Sequence, residues 1–370
     1  MSKTYRIGVI GFSHMHVNDL VGAFVSLPNV EWVACADTVP VVPTKTLKPA
    51  SRPANMRRTQ ELTGISKVYA DYVEMLDKEA LDVVIFCPEN ARHGEVAEAI
   101  ATRGVHMVTE KPMSSTLQDG LRMVRAAEAN NVSLAINWPS TWRPGTRQLK
   151  VLVDQGVIGD VWEVKWRNYA SMGPLSYSTG DDAWTDGEKG AEWWHQSALG
   201  GGALLDYCSY GASIARWLVG EPAVAALGIK ANIASQYGDA DDNAIITVRF
   251  PRALALLEAS WTTWNTGGVP SMIVYGTRGT LAAGATGVQV FTSRSFYAGE
   301  PDYISEGEPL PEGRATLGEE VIHHLETGDP LHPTLQVQHN LEAMAILDAG
   351  IRSAASGRME LVDTPTWCIG

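Results

Sequence analysis

The sequence predicts an α/β fold in two parts: a parallel sheet wrapped by helices, then a second domain built on an antiparallel sheet. Three observations carry this. Strand and helix signals alternate through the first 137 residues, which implies a parallel sheet with right-handed crossovers. The run Asp82-Val83-Val84-Ile85-Phe86-Cys87 is almost continuously apolar, the mark of a strand buried on both faces. Near Asn137 the texture changes: eleven of the twelve tryptophans lie beyond it, and alternating apolar–polar segments follow.

The elements follow in order. Arg6–Gly11 is a short apolar run ending in glycine. A helical pattern follows with Val17, Leu20, Val21 and Phe24 on one face, and Val30–Asp37 reads as a second strand. Thr38–Arg58 breaks the alternation, with four prolines, five basic residues and little apolar periodicity; it reads as a long surface loop. After the Asp82–Cys87 strand come a helix over about His93–Thr102, a strand at His106–Thr109, a helix over about Thr116–Asn130 and a strand at Val132–Ile136. The second part opens with a helix carrying Leu149, Leu152 and Val153 that ends at Gly156. Strands are expected at Val161–Tyr169, Ala223–Ile233, Ala244–Phe250, Ala253–Trp261, Ser271–Tyr275 and Gly287–Thr292. A long helix over about Leu335–Ala355 ends at Gly357, a plausible C-terminal cap.

A chain of 370 residues suffices for about two domains, here 1–137 and 138–370, with the last helix (about 335–356) free to pack back on the first. Lys plus Arg is 29 and Asp plus Glu is 42, a formal charge of −13, which argues against nucleic acid or an anionic membrane as a partner. No apolar run approaches the roughly 18 residues of a membrane span, and Met1–Arg6 leads straight into a strand without a signal-peptide layout. Cys35, Cys87, Cys208 and Cys368 are scattered, without zinc spacing, so reduced thiols in a cytoplasmic setting are expected. Glu319 and His323 share a helix face, but no third ligand is evident, so no metal is expected.

Strand, glycine, helix and acidic strand end is the layout of a dinucleotide site. Against G-x-G-x-x-G, the row Gly11-Phe12-Ser13-His14-Met15-His16 keeps only the first glycine. Ser13 is small and its hydroxyl is a candidate donor to a phosphate; His16 is the larger departure. Asp37, 26 residues beyond Gly11, suits a ribose 2′-hydroxyl and repels a 2′-phosphate, which favours NAD; a turn-forming aspartate is the plain alternative. Lys45, Lys48, Arg52, Arg57 and Arg58 keep NADP open, since any of them is able to meet a 2′-phosphate.

Glu110-Lys111-Pro112 follows an apolar strand, and Gly200-Gly201-Gly202-Ala203-Leu204-Leu205-Asp206 follows about ninety residues later. Together with the N-terminal glycine turn, Pro88 with His93, Gly104–Val108, Gly156–Gly159, Tyr275–Leu281 and Ser353–Gly357, these resemble the Gfo/Idh/MocA family of NAD(P)-dependent oxidoreductases over nearly the whole chain. The resemblance implies a Rossmann domain followed by an α+β domain whose open, mostly antiparallel sheet covers the nicotinamide. It implies a homo-oligomer, dimer or tetramer, formed through that sheet's outer face. Trp162, Trp166, Trp261 and Trp264 are candidates for that interface, or for ordinary packing.

The resemblance also implies site residues. The cofactor would meet Gly11, Phe12, Ser13, His14, Met15, Asp37, Cys87, Pro88, His93, Glu110 and Lys111. Lys111 would face the substrate hydroxyl, its pKa lowered by burial and the nearby cationic nicotinamide. Many members carry a histidine four residues after the aspartate; here it is Tyr210, as in the branch with glucose–fructose oxidoreductase and the dimeric dihydrodiol dehydrogenases. Tyr210 is read as proton donor or relay, Lys111 as the charge that tunes it, and Asp206 as the orienting group; a packed aromatic is the alternative for Tyr210. His195, Trp138, Arg143 and Trp184 are candidate substrate contacts, with flat aromatic faces suited to sugar rings.

The expected activity is hydride transfer between NAD, or NADP, and a secondary alcohol or ketone of a sugar, cyclitol, glycoside or related diol. Two alternatives stand beside it. One is a redox-neutral, glycosidase-like sugar transformation on tightly bound NAD. The other is a non-catalytic regulator that responds to nucleotide or sugar.

Overall fold

The computed structural model describes residues 3–41, 43, 46–167, 173–178, 183–264, 268–284, 287–295 and 299–362. Lys45, Cys368 and the last two residues of the expected 161–169 strand lie outside these residues.

The first part runs β1 (Tyr5–Ile10), α1 (Val17–Gly22), β2 (Val30–Ala36), α2 (Arg52–Thr63), β3 (Val68–Tyr69), α3 (Tyr72–Lys78), β4 (Val83–Phe86), α4 (His93–Ala101), β5 (His106–Glu110), α5 (Leu117–Ala129) and β6 (Leu134–Asn137). The strands form one parallel sheet in the order β3-β2-β1-β4-β5-β6. The order reverses between β2-β1 and β4, so a crevice opens beyond the carboxyl ends of β1 and β4, where such sheets bind ligands. Strand β4 is buried at every position, as its apolar run requires.

The stretch expected to be a surface loop is corrected at its end. Ser51 caps α2 by accepting the Ala54 N–H, and Pro53 sits in the first turn. Apolar periodicity missed this helix because the face it buries is polar: Arg52, Asn55 and Thr59.

The second part begins with α6 (Pro144–Asp154) and β7 (Val161–Arg167), then α7 (Asp186–Ala191). A single π turn, Leu204–Cys208, leads into α8 (Ser209–Val219). Strands β8 (Ala225–Ala231), β9 (Asn243–Arg249), β10 (Leu254–Ser260), β11 (Met272–Gly276), β12 (Gly279–Ala283), β13 (Val288–Phe291) and β14 (Tyr303–Ser305) follow. The chain then forms α9 (Leu317–Thr327), α10 (Val337–Ser356) and β15 (Glu360–Leu361). The second sheet runs β14-β13-β12-β11-β7-β10-β9-β8-β15 and is antiparallel except where β10 pairs with β7. Helix α10 lies against β8 and α8 and also reaches α5 and β6, tying the two sheets together. Its stop is Gly357 in the left-handed conformation, φ 68°.

No helix among the described residues is long and apolar enough to cross a membrane. Among the same residues no group of three His, Cys, Asp or Glu side chains is placed to hold a metal ion. Glu319 instead completes a capping box with Thr316, and His323 pairs with Asp329 at 2.8 Å.

Candidate active site

The turn after β1 is built on Gly11. Its φ is +81°, and a Cβ there would sit 2.6 Å from the Pro88 nitrogen, so only glycine fits. Phe12 buries its ring in the core and offers its backbone N–H to Asp37 Oδ1 at 3.0 Å. Ser13 does not turn its hydroxyl to a phosphate. It is buried and donates to the Cys87 carbonyl at 3.1 Å, joining the two strand ends. His14, Met15 and His16 face an adjoining cavity.

Asp37, at the end of β2, is gripped by Arg52: Nη2 lies 2.8 Å from Oδ1 and Nε 3.0 Å from Oδ2. Arg52 also donates to Glu89 Oε1 at 2.7 Å and to the Thr38 carbonyl and hydroxyl. Its guanidinium is buried and held between two carboxylates, which removes it as a receptor for a 2′-phosphate. Lys48 is tied to the second domain, 2.9 Å from Glu188 and 2.7 Å from the Ala183 carbonyl. Arg58 pairs with Glu61 on the surface of α2.

A cavity of about 380 Å³ lies beside the Gly11 turn. Lys111, at the end of β5, reaches into it. Its Nζ is 2.7 Å from Asp206 Oδ1, 2.9 Å from the Asp206 carbonyl, and 4.6 Å from the centre of the Tyr210 ring. Asp206 is carried by the π turn, and its Oδ2 accepts the Trp261 indole N–H at 3.0 Å. The approach to that turn is close: a Cβ at Gly201 would meet the Trp194 carbonyl at 2.3 Å. Glu110 is buried, accepting from Asn137 Nδ2 at 2.6 Å and from the Lys111 N–H at 3.0 Å. Tyr210 stacks on Trp166, centroids 5.4 Å apart, and meets Trp138 edge-on at 5.5 Å.

The electrostatics of Lys111 reverse the expectation of a lowered pKa. Burial does oppose the ammonium, but Asp206, with Tyr210 and Glu110, outweighs it and raises the pKa above lysine's ordinary value. Burial pushes the Tyr210 phenol up to about 12, with Lys111 pulling the other way. At neutral pH the cavity therefore presents a charged ammonium and a protonated phenol.

The structure brings Lys111, Asp206, Tyr210, His14 and Met15 to one cavity; among the described residues its lining does not include His93, Trp138, Arg143, Trp184 or His195. His93 is buried against Phe86, with Nδ1 3.0 Å from the Met113 carbonyl. Trp138 is buried and donates to Asn340. Arg143 sits at the start of α6, and Trp184 packs on Trp194 at 5.8 Å. His195 is buried, edge-on to Trp261 at 5.9 Å, and burial, with Lys189 adding, lowers its pKa to about 4. It supports the wall of the cavity from behind. Cys87 is a buried thiol whose carbonyl, not its sulfur, serves the turn.

Three participants were missed in sequence. Glu89 completes the Arg52 cluster, Trp261 holds Asp206, and Trp193 donates its indole N–H to the Ser13 carbonyl at 2.9 Å. The adjacent tryptophans before the glycine run were the available signal for a covered cleft. The site fits a dinucleotide at its two ends: a cavity sized for a nicotinamide riboside and substrate at Lys111, and a carboxylate at the end of β2. Beside that carboxylate, Ala191, Glu192, Trp193 and Leu199 close over Pro40, Val41, Arg52 and Glu89, leaving only about 10 Å³.

Residues 5–138 match the oxidoreductase family with an NAD-binding Rossmann fold, and residues 146–282 match the GFO/IDH/MocA C-terminal domain. Myo-inositol 2-dehydrogenase of Thermotoga maritima is 27% identical over 172 residues, 46% of this chain and 46% of that protein. D-xylose 1-dehydrogenase [NADP(+)] of Haloarcula marismortui is 26% identical over 185 residues, 50% of this chain and 48% of that protein. The matched region thus spans about half the length of these curated relatives. The WlbA dehydrogenase of Bordetella pertussis, solved with NADH and UDP-GlcNAcA, shares the fold at a TM-score of 0.74 and 21% identity, covering 98% of this chain and 100% of that one. By both of its domains, the chain belongs to the Gfo/Idh/MocA family of oxidoreductases.

Proposed function

We propose that the protein transfers a hydride between NAD and a secondary alcohol or ketone of a sugar- or cyclitol-like substrate. The observation that carries this is the buried Lys111–Asp206 pair, 2.7 Å apart, in a cavity shared with Tyr210 and the Gly11 turn. Bound nicotinamide supplies the hydride donor or acceptor. Two of the three Lys111 donors go to Asp206, which leaves one for a substrate oxygen. In ketone reduction that ammonium stabilises the developing alkoxide and gives it a proton. In alcohol oxidation the same nitrogen receives the proton and must first be neutral. Tyr210 is a second donor to the same oxygen, held in place by Trp166 and Trp138.

NAD rather than NADP is the cofactor on this reading, because Asp37 and Glu89 outnumber Arg52 where a 2′-phosphate would sit. The myo-inositol and D-xylose dehydrogenases support a polyol or sugar substrate class. Leu227, Ile229, Ile245 and Leu254 are exposed on β8–β10 and form the face for a dimer or tetramer. Trp166 and Trp261 are buried at the site instead, so they are not part of that face.

The test uses NADH deuterated at its transferring position, with a panel of keto sugars and inososes. Deuterium in a product, lost in Lys111→Ala, supports the reading. Nucleotide binding without label transfer to any of them sinks it and favours the regulator. A second reading, a redox-neutral cycle on retained NAD, is favoured by the cover over the adenosine half of the groove. Nucleotide still bound in native mass spectra of the isolated protein would select it.

A further inference from the structure

The turn after Gly11 carries two histidines, His14 and His16, the second where a dinucleotide turn has its third glycine, and the proton chemistry of Lys111 and Tyr210 uses neither. Both line the same cavity, with rings 4.2 Å apart. His14 Nδ1 accepts the backbone N–H of His16 at 3.1 Å. That acceptor role puts the ring proton of a neutral His14 on Nε2. His16 turns its Nδ1 toward Glu110, 3.6 Å from Oε2, too far for a hydrogen bond. This nitrogen is buried and lacks a hydrogen-bond partner among the described residues. Glu110 is already satisfied by Asn137 and the Lys111 N–H, so it lends His16 its charge without taking up its donors. Helix α1 has only six residues and adds little of the positive field that usually meets a phosphate.

We propose that His14 and His16 together hold the diphosphate bridge of a dinucleotide, His16 as a cation and His14 as a neutral Nε2–H donor. This rests on the dinucleotide reading above. It gives to two side chains the role that a glycine-rich turn leaves to backbone N–H groups.

The groups around each ring set these roles. Burial keeps His14 neutral, and His16, Lys111 and His93 all act in the same direction. Burial and Lys111 oppose the His16 cation, but Glu110, with Asp19 behind it, outweighs them and raises its pKa. A diphosphate raises it further. Binding then takes up a proton wherever His16 is neutral in the free protein, and affinity falls as pH rises past that point, by up to about tenfold per pH unit.

Calorimetric titration of the full chain with NADH, in buffers of different ionisation heat between about pH 6 and 8.5, counts these protons. The expected result is proton uptake and an affinity that falls with pH. His16→Gly restores the small residue of the turn; it should bind NADH with no proton uptake and no pH dependence. His16→Gln makes the same comparison if the glycine variant does not fold. His14→Gln should weaken NADH about tenfold, in keeping with loss of a charge-assisted hydrogen bond, and leave the proton count unchanged. Adenosine, which lacks the diphosphate, should be indifferent to all three changes. Equal proton counts in wild type and the His16 variants, or an equal loss of adenosine affinity, would overturn the proposal. Absence of NADH binding to the wild-type chain at every pH would instead overturn the dinucleotide reading itself.

Discussion

Arg52 closes on Asp37 through two nitrogens, Nη2 to Oδ1 at 2.8 Å and Nε to Oδ2 at 3.0 Å, while its Nη1 holds Glu89. One cation thus stands between two carboxylates at the end of β2. A 2′-phosphate would add negative charge to a site already short of positive charge. NAD should bind on the order of 100-fold more tightly than NADP, about 2.7 kcal/mol. Asp37→Ala frees one side of Arg52 and should cut that preference at least about tenfold, read by fluorescence titration with NADH and NADPH. An unchanged ratio would show that Asp37 does not select the cofactor.

The raised pKa of Lys111 fixes the expected pH dependence of activity. The group stays an ammonium through the neutral range, so ketone reduction at saturating NADH should be nearly flat from about pH 6 to 9. Alcohol oxidation needs the neutral amine and should still be climbing at the upper end. In Asp206→Asn the largest raising influence is gone and burial remains, so the oxidation limb should move at least about one unit to lower pH. The same variant strands a buried cation and should lose about 3 kcal/mol of stability; Asp206 is a quarter exposed, which keeps the cost at the lower end for a broken buried pair. Identical pH profiles in the two proteins would remove Lys111 from proton transfer.

Trp193 fastens the cover over the nucleotide groove by one buried hydrogen bond to the Ser13 carbonyl. Trp193→Phe keeps an aromatic ring and removes that donor. A net loss of about 1 kcal/mol corresponds to roughly fivefold, and stopped-flow displacement should show NADH leaving faster by that factor. No change in the release rate would mean that the cover does not gate the cofactor.

Acid should weaken the fold before the carboxylates titrate. His195, His332 and His339 are held near a pKa of about 4, with burial the largest cause in each. Unfolded, they return to about 6.5. Above that value both states are neutral and the full stability is present. Below it the unfolded chain binds protons that the folded chain refuses, so stability falls with pH until about pH 4. The slope reaches about 1.4 kcal/mol per pH unit for each histidine. Urea midpoints measured across this range would expose the effect, and a constant midpoint would rule out these histidines as its source.

The sequence by itself determined the order of the two parts, the buried strand β4 and a glycine turn at Gly11, while Lys111, Asp206 and Tyr210 were expected at the site from short motifs read through the family resemblance. These are legible because an apolar run, a glycine turn or a short motif is a property of neighbouring residues. Tertiary structure alone decided which polar side chains are buried and what faces them. Helix α2 was obscured because its inward face is Arg52, Asn55 and Thr59, and no hydrophobic periodicity announces a buried arginine whose carboxylate partners lie 15 and 37 residues away. His93, Trp138 and His195 turned inward for the same reason: their partners are supplied by other elements. The charge state of Lys111 followed suit. Burial alone would have lowered its pKa; a carboxylate 95 residues further along the chain raises it, because at 2.7 Å in a buried site the attraction outweighs the lost hydration.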